Sequence, residues 1–300
     1  MAAAEADEYG KMLLQSRDTH PVKRHLSLFA RRRLRRAIRI SRDPLPWVTR
    51  KLAASELSNV STKGIRVAPS QGFALIPRDF ITDIDEIVVY ANRVWNRNRA
   101  LLASKNNYFL KFSHFIDIAE FRDIVRVALQ PAVVKLAADY LSSVPVLKDI
   151  NLWWTRPWPS IGGAQNFHID SIPDTRSLRF LIGMTDIDDD SGPLSLLPAS
   201  KSAKLIRKLG YLGGVVDPDM IARECGENSL VVAKGPAGAG VALDTGRCFH
   251  FGSKHMHRDR LMLSISFSSW YLNEAFPDQS KFVANSQKLS KLDKLVLKIN

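Results

Sequence analysis

Cysteine is scarce in this 300-residue chain: Cys225 and Cys248 are the only two, and they form no CxxC pair. That excludes a disulfide-stapled extracellular scaffold and a thiolate metal site, and it suits a reducing cytoplasm. No run of about 18 apolar residues occurs, so no segment is expected to span a bilayer as a helix. The opening residues, MAAAEADEYGK, are acidic and lack the apolar stretch of a secretory signal. No internal repeat or low-complexity tract is visible. What remains is a globular chain expected in the cytoplasm, with an ordinary apolar content of 45%. It is long enough to bury a core without cross-links.

The net charge of +13 belongs to the ends. Residues 17–51 carry twelve Lys and Arg against Asp18 and Asp43, and residues 281–300 carry five Lys against Asp293. The stretch between them is nearly neutral. Three segments follow: a basic N-terminal extension (1–51), a main domain (52–280) and a basic C-terminal helix (281–300). Within the first, Leu26, Ala30, Leu34, Ala37 and Ile38 recur at helical spacing over 22–41, opposite Arg31, Arg32, Arg35 and Arg39. Pro44 and Pro46 are expected to end that helix. It reads either as a solvated helix packed by its apolar stripe or as a docking element for an anionic membrane surface or acidic partner. Nucleic acid is disfavoured, because neither interleaved aromatics nor zinc-ligand spacing accompanies the charge. In the tail, Leu289, Leu292, Leu295, Val296 and Ile299 form a second apolar helical stripe.

The main domain changes texture part-way. Residues 66–89 read as a strand, a turn and a helix start, and 117–142 as a helix broken by Pro131. From residue 148 onward, short apolar segments alternate with turn residues: DINLWWTRPW, AQNFHID, LRFLIGMTDI, GPLSLLP, SLVVAK, AGVALD and RLMLSISFSSWY. Many short strands indicate a β-sandwich or barrel rather than βαβ units. The expected fold class is therefore α+β, a jelly-roll core with helices from the N-terminal half packed on it.

Two segments carry chemistry. In NFHID, strand alternation would put His168 and Asp170 on one face, where an imidazole and a carboxylate can share a metal; a third ligand must come from elsewhere. Alone, the pair also fits a strand-end histidine beside a solvated aspartate. In the second segment, VALDTGRCFHFGSKHMHRDRLMLSISF, candidates for the third ligand are His250, His255 and His257. Alternation over RLMLSISF puts Leu261, Leu263, Ile265 and Phe267 on one face and Arg260, Met262, Ser264 and Ser266 on the other. An arginine with serines suits an interior that holds an anion, since a guanidinium fork clamps a carboxylate with two donors. Arg260 on its own also reads as a strand-end surface residue. Cys248 reads as a structural thiol. Trp153, Trp154 and Trp158 fit either a core or the wall of a sugar or acyl site.

Taken together, these segments resemble the phytanoyl-CoA dioxygenase-like family of iron(II)/2-oxoglutarate oxygenases. The resemblance spans roughly 130–270. It rests on the HID triplet, the turn Thr185-Asp186-Ile187-Asp188 with Gly192-Pro193, the segment Pro198-Ala199-Ser200-Lys201 in place of the family's P-G-S-H, and the distal His250 with Arg260 beyond it. It implies a double-stranded β-helix with iron held by His168, Asp170 and His250, and 2-oxoglutarate anchored by Arg260. His255 and His257 lie too close to Arg260 for the family's spacing. Thr155, Arg156, Gln165 and Ser266 are implied as further pocket residues. The implied reaction oxidises a C–H bond with release of succinate and carbon dioxide. Related halogenases leave the carboxylate position empty for halide, so Asp170 implies hydroxylation, desaturation or epimerisation. The substrate is left open among small-molecule, lipid and glycan types. Two alternatives stand beside this one: a cupin-type metalloenzyme that does not use 2-oxoglutarate, and a non-enzymatic jelly roll whose basic arm binds membrane or polyanion.

Overall fold

In the strand Arg260–Ser268 (β11) every side chain is buried, but the two faces differ in chemistry. The computed structural model describes residues 34, 37, 38, 40–42, 44–105, 107–112, 122–158, 165–170, 176–211, 213–252, 254, 256–269 and 289–299. Within these, β11 is a central strand of a six-stranded antiparallel sheet. The other strands are β1 (Phe73–Ile76), β2 (Phe109–Lys111), β3 (Val146–Thr155), β5 (Ser177–Gly183) and β9 (Gly240–Leu243), in the order β1-β9-β5-β11-β3-β2. A second sheet, ordered β7-β4-β10-β6-β8, is built from much shorter strands: β4 (Phe167–His168), β6 (Leu194–Leu196), β7 (Val215–Val216), β8 (Val231–Ala233) and β10 (His250–Phe251).

Alternation along the long strands sorts the side chains into layers. Leu261, Leu263, Ile265 and Phe267 of β11, with Leu178, Phe180 and Ile182 of β5 and Ile150, Leu152 and Trp154 of β3, enter the main apolar cluster. Helices cover that face: α1 (Pro44–Ser55), α2 (Ile84–Ala103), α3 (Arg122–Leu129), α4 (Pro131–Leu141) and α7 (Lys291–Leu297) all contribute to the cluster. The opposite face of the large sheet meets the small sheet through Leu181, Val241, Leu243 and Met262 on one side and Leu194 and Leu196 on the other. Behind the small sheet, Phe167, Val216 and Phe249 pack on Leu205 of α5 (Ala199–Leu209) and Ile221 of α6 (Pro218–Cys225). The order of layers is helices, large sheet, small sheet, two helices, and the inward faces of the two sheets enclose the candidate site.

Close approach fixes at least one backbone choice. A Cβ on Gly240 would sit 2.1 Å from the Leu181 carbonyl oxygen, so β9 pairs with β5 there only as glycine.

Several expectations need correction. Pro44 and Pro46 do not stop a helix: Ile40–Arg42 before them are helical, and both prolines lie within α1. Leu34, Ala37 and Ile38 further upstream are helical too, and the rest of the arm expected over 22–41 lies outside the described residues. Pro131 does divide the helical stretch, with Gln130 between α3 and α4. The texture from residue 148 onward hid α5 and α6, which interrupt the strands. The strand expected across 164–170 shrinks to Phe167–His168, which leaves Asp170 beyond its end.

Both charged ends are tied to the body by specific contacts. In α7, Val296 and Leu297 are buried, Leu289, Leu292, Leu295 and Ile299 pack on the main cluster, and Ser290 and Asp293 form a reciprocal cap. Arg50 of α1 is buried and donates to the Val144 and Pro145 carbonyls at 3.1 and 3.2 Å and to the Leu295 carbonyl at 2.8 Å. Burial lowers its pKa to about 10, and the three carbonyls compensate the lost hydration.

Candidate metal centre

His168 and His250 face each other across the small sheet as directly paired residues of β4 and β10. Their rings lie 4.5 Å apart, centre to centre. Each ring is oriented through its other nitrogen. His168 Nδ1 donates to the Asn166 carbonyl at 2.8 Å, and His250 Nδ1 to the Cys248 carbonyl at 2.9 Å. A carbonyl only accepts, so both Nδ1 atoms carry protons and both Nε2 atoms face the shared space, where a metal would take their lone pairs.

Asp170 arrives from the bend after β4, its N–H held by the Thr245 carbonyl at 3.1 Å. Its two oxygens have different partners. Oδ1 lies 3.3 Å from His168 Nε2 and 3.7 Å from His250 Nε2, while Oδ2 accepts from Arg179 Nη1 at 2.8 Å. One ligand atom from each residue lies within 4.8 Å of the other two, the only such His/Cys/Asp/Glu group among the described residues. Two imidazoles and one carboxylate oxygen converging in this way can bind a divalent metal on one side and leave positions open on the other.

Electrostatics separate the three. Burial pushes His250 down to about 4, although the Asp170 charge works against it, so this ring is neutral at physiological pH. Burial also opposes the charge on His168, but its hydrogen bonds to Asp170 and the Asn166 carbonyl win and raise its pKa. Burial works to raise the Asp170 carboxyl. The Arg179 guanidinium and both histidines override it and hold Asp170 well below the usual carboxylate range.

Arg179 was not legible as a functional residue. It sits on β5 with Asp170 on one donor, Ser266 Oγ accepting from Nε at 3.0 Å, and the Trp153 ring 5.5 Å below. A lone arginine in an apolar strand reads as a surface residue. The signal that could have found it is parity, because in LRFLIG it shares a face with Leu181, which packs between the sheets.

The remaining implied residues fall into two groups. Arg260 is buried at the start of β11, opposite Thr155 of β3. Its Nε donates to Thr155 Oγ1 at 3.2 Å, and Nη1 donates to the Gly192 carbonyl. Gly192 is left-handed (φ 61°) after a short turn capped by Asp188, so the Thr185–Pro193 segment serves to present that carbonyl. Burial lowers Arg260 to about 10, which leaves it cationic at neutral pH. Its other terminal nitrogen lies beside Gly252, two residues past His250. Ser266 is buried on the same row of β11, and Gln165 is buried just before β4. Arg156, by contrast, is spent elsewhere: it donates to the Ala103, Lys105 and Asn107 carbonyls at the end of α2.

His257 is exposed and bonded through its backbone to Asp190, and His255 lies outside the described residues. Cys248 is buried, with its thiol pKa pushed up by that burial, which suits an inert packing role. Trp154 enters the core, whereas Trp153 faces the space between the sheets.

No family model matches the chain, and no curated protein matches it. Solved structures do. SnoK, a non-haem α-ketoglutarate-dependent carbocyclase from nogalamycin biosynthesis, aligns over 71% of this chain and 85% of its own, at 14% identity and a TM-score of 0.52. The chain shares SnoK's fold. AviO1 from Streptomyces viridochromogenes Tue57 follows at 16% identity, 69% and 93% coverage and a TM-score of 0.47. HygX from Streptomyces hygroscopicus, solved with nickel and 2-oxoglutarate bound, has 14% identity, 68% and 88% coverage and a TM-score of 0.44. The likeness to SnoK concerns helices and antiparallel sheets; it assigns no residue a role.

Proposed function

We propose that this chain is an iron(II)- and 2-oxoglutarate-dependent dioxygenase of the phytanoyl-CoA dioxygenase-like kind, built on a double-stranded β-helix. Its proposed reaction is hydroxylation of a C–H bond in a small-molecule, lipid or glycan-type substrate. The observation that carries this reading is the convergence of His168 Nε2, His250 Nε2 and Asp170 Oδ1. The fold shared with SnoK, an α-ketoglutarate-dependent enzyme, supports it.

The inward face of the large sheet fits a polar, anionic cosubstrate. Arg260 supplies a buried cation there. Ser264 Oγ, Trp153 Nε1 and Asn151 Oδ1 are buried without hydrogen-bond partners on the inward rows of β11 and β3. Buried polar atoms are rarely left so, and a bound 2-oxoglutarate would give them company. Bound together, iron and 2-oxoglutarate would activate dioxygen, the oxidant for C–H cleavage, with succinate and carbon dioxide as co-products.

The protein's own part is placement. His168 and His250 present lone pairs whose direction is fixed by backbone carbonyls. Asp170 offers one oxygen and has the other occupied by Arg179, which favours single-point attachment and open positions for reactants. Arg260, braced by Thr155 and the Gly192 carbonyl, holds the far carboxylate of 2-oxoglutarate and so sets the cosubstrate's distance from the metal.

The test is anaerobic titration of metal-free protein with Fe(II) and 2-oxoglutarate, following the visible charge-transfer band of the chelate. Wild type is expected to develop the band and His250→Ala to lose it. A folded, iron-loaded wild type with no band would discard the 2-oxoglutarate reading and leave a cosubstrate-independent metalloenzyme.

A further inference from the structure

Helix α1 is docked by one face only. Arg50, Ala53 and, just past its end, Leu57 are buried against the body, whereas Leu45, Val48 and Leu52, at i, i+3 and i+7, point outward. Leu45 and Leu52 are 72% and 67% exposed. Upstream, Leu34 and Ile38 are helical and exposed as well. These five are half of the ten large apolar side chains that stand exposed among the described residues, so the clustering is not the ordinary scatter of surface leucines. Arg42 and Lys51, both exposed, flank the stripe, within a segment (17–51) that carries twelve Lys and Arg against two Asp.

We propose that this stripe is a membrane-docking surface, laid flat in the headgroup region of an anionic bilayer. The charge pattern selects that occupant. A second copy of the chain would bring two strongly basic segments together, and a nucleic acid would leave the leucines in water. An anionic lipid surface satisfies both halves at once: acyl chains cover Leu45, Val48 and Leu52 while headgroups pair with the flanking cations. The shape of α1 suits this, since its buried face is already committed to the body through Arg50 and its three carbonyl partners. The inference is independent of the oxygenase reading.

The test is co-sedimentation of the full chain with sucrose-loaded vesicles of phosphatidylcholine containing about 30% phosphatidylserine, against pure phosphatidylcholine. Binding to the anionic vesicles alone is expected, and raising salt from about 0.1 to 0.5 M is expected to weaken it. The pair Leu45→Asp with Leu52→Asp is expected to weaken it about tenfold or more, with thermal unfolding unchanged. The pair Arg42→Glu with Lys51→Glu, which leaves the leucines in place, is expected to weaken it as well. Equal binding to both vesicle types overturns the proposal, and so does undiminished binding by either variant. So does a wild-type dimer that the leucine variant converts to monomer, which would assign the stripe to self-association. Competition by poly-glutamate that depends on Leu45 and Leu52 would assign it to an acidic protein.

Discussion

The two faces of β11 are made by alternate residues of one nine-residue strand, yet they do different work. The outward row, Leu261, Leu263, Ile265 and Phe267, is uniformly apolar and locked into the main cluster beneath the helices. The inward row carries Arg260, Ser264 and Ser266, all buried, and of that row only Met262 packs with the apolar residues between the sheets. Burying an arginine and hydroxyls costs free energy unless they find partners, so the inward row draws on stability that the outward row supplies. Stability and chemistry are thus separated by parity rather than by position along the chain, and substitutions on the two rows should fail in different ways.

The largest effect belongs to the outward row. Phe267→Ala is expected to destabilise the fold by about 3–5 kcal/mol in denaturant unfolding, while Fe(II) binding below the transition stays intact. A parallel loss of metal binding would show that the two rows are not independent. Next comes Arg260→Ala, for which 2-oxoglutarate affinity, measured calorimetrically on the iron-loaded protein, should fall on the order of a hundredfold with iron affinity nearly unchanged. An unaltered cosubstrate affinity would remove Arg260 from the site.

Arg179→Gln sharpens the contrast further, because its target is the metal rather than the cosubstrate. Fe(II) binding is expected to weaken about tenfold, the cost typical of losing a partner that orients a ligand. Loss of the cation also relieves repulsion of the metal, which keeps the effect at the lower end. Iron affinity equal to wild type would mean that Asp170 needs no orienting. The smallest change is expected of Ser264→Ala: stability within about 1 kcal/mol of wild type, since the hydroxyl has no protein partner to lose. A modest weakening of 2-oxoglutarate binding should accompany it, and no weakening at all would place the cosubstrate away from β11.

Much of this was legible before any coordinates. Alternation over RLMLSISF separates the two rows without ambiguity, because the hydrophobic residues repeat with period two across the whole strand. His168 and Asp170 were legible as a spacing, although the reason offered was incomplete. The strand stops at His168, and Asp170 is aimed by its backbone bond to Thr245, a contact 75 positions away that no local pattern encodes. Arg179 was hidden because one charged residue in an apolar strand says nothing about what faces it.

Helix α5 could have been found. Ser202, Leu205, Ile206 and Leu209 keep helical spacing, and Gly210 ends the helix in a left-handed turn. The surrounding run of short strands obscured it. Pro44 was misread for a different reason: a proline is expected to stop a helix, yet Ile40–Arg42 before it and Pro44–Ser55 from it on are both helical, which the local pattern does not reveal. The exposed stripe on α1 could not be read at all as exposed, since an apolar face in sequence does not reveal whether anything covers it.

The short turn from Asp244 to Cys248 holds two of the three metal-ligating candidates. The Thr245 carbonyl takes the Asp170 N–H, the Cys248 carbonyl takes His250 Nδ1, and the turn is itself pinned by Tyr140, whose hydroxyl donates to Asp244 Oδ2 at 2.7 Å and accepts from Arg247 Nη1 at 2.9 Å. This gives the chain an uneven tolerance to changes of length. Between His168 and Asp244 the path passes through α5 and α6 as well as strands, and at the ends of those two helices added residues can loop outward without disturbing the site. Between Asp244 and His250 one inserted residue would turn β10 over, swing the imidazole to the far side of the small sheet and unseat the carboxylate at the same stroke.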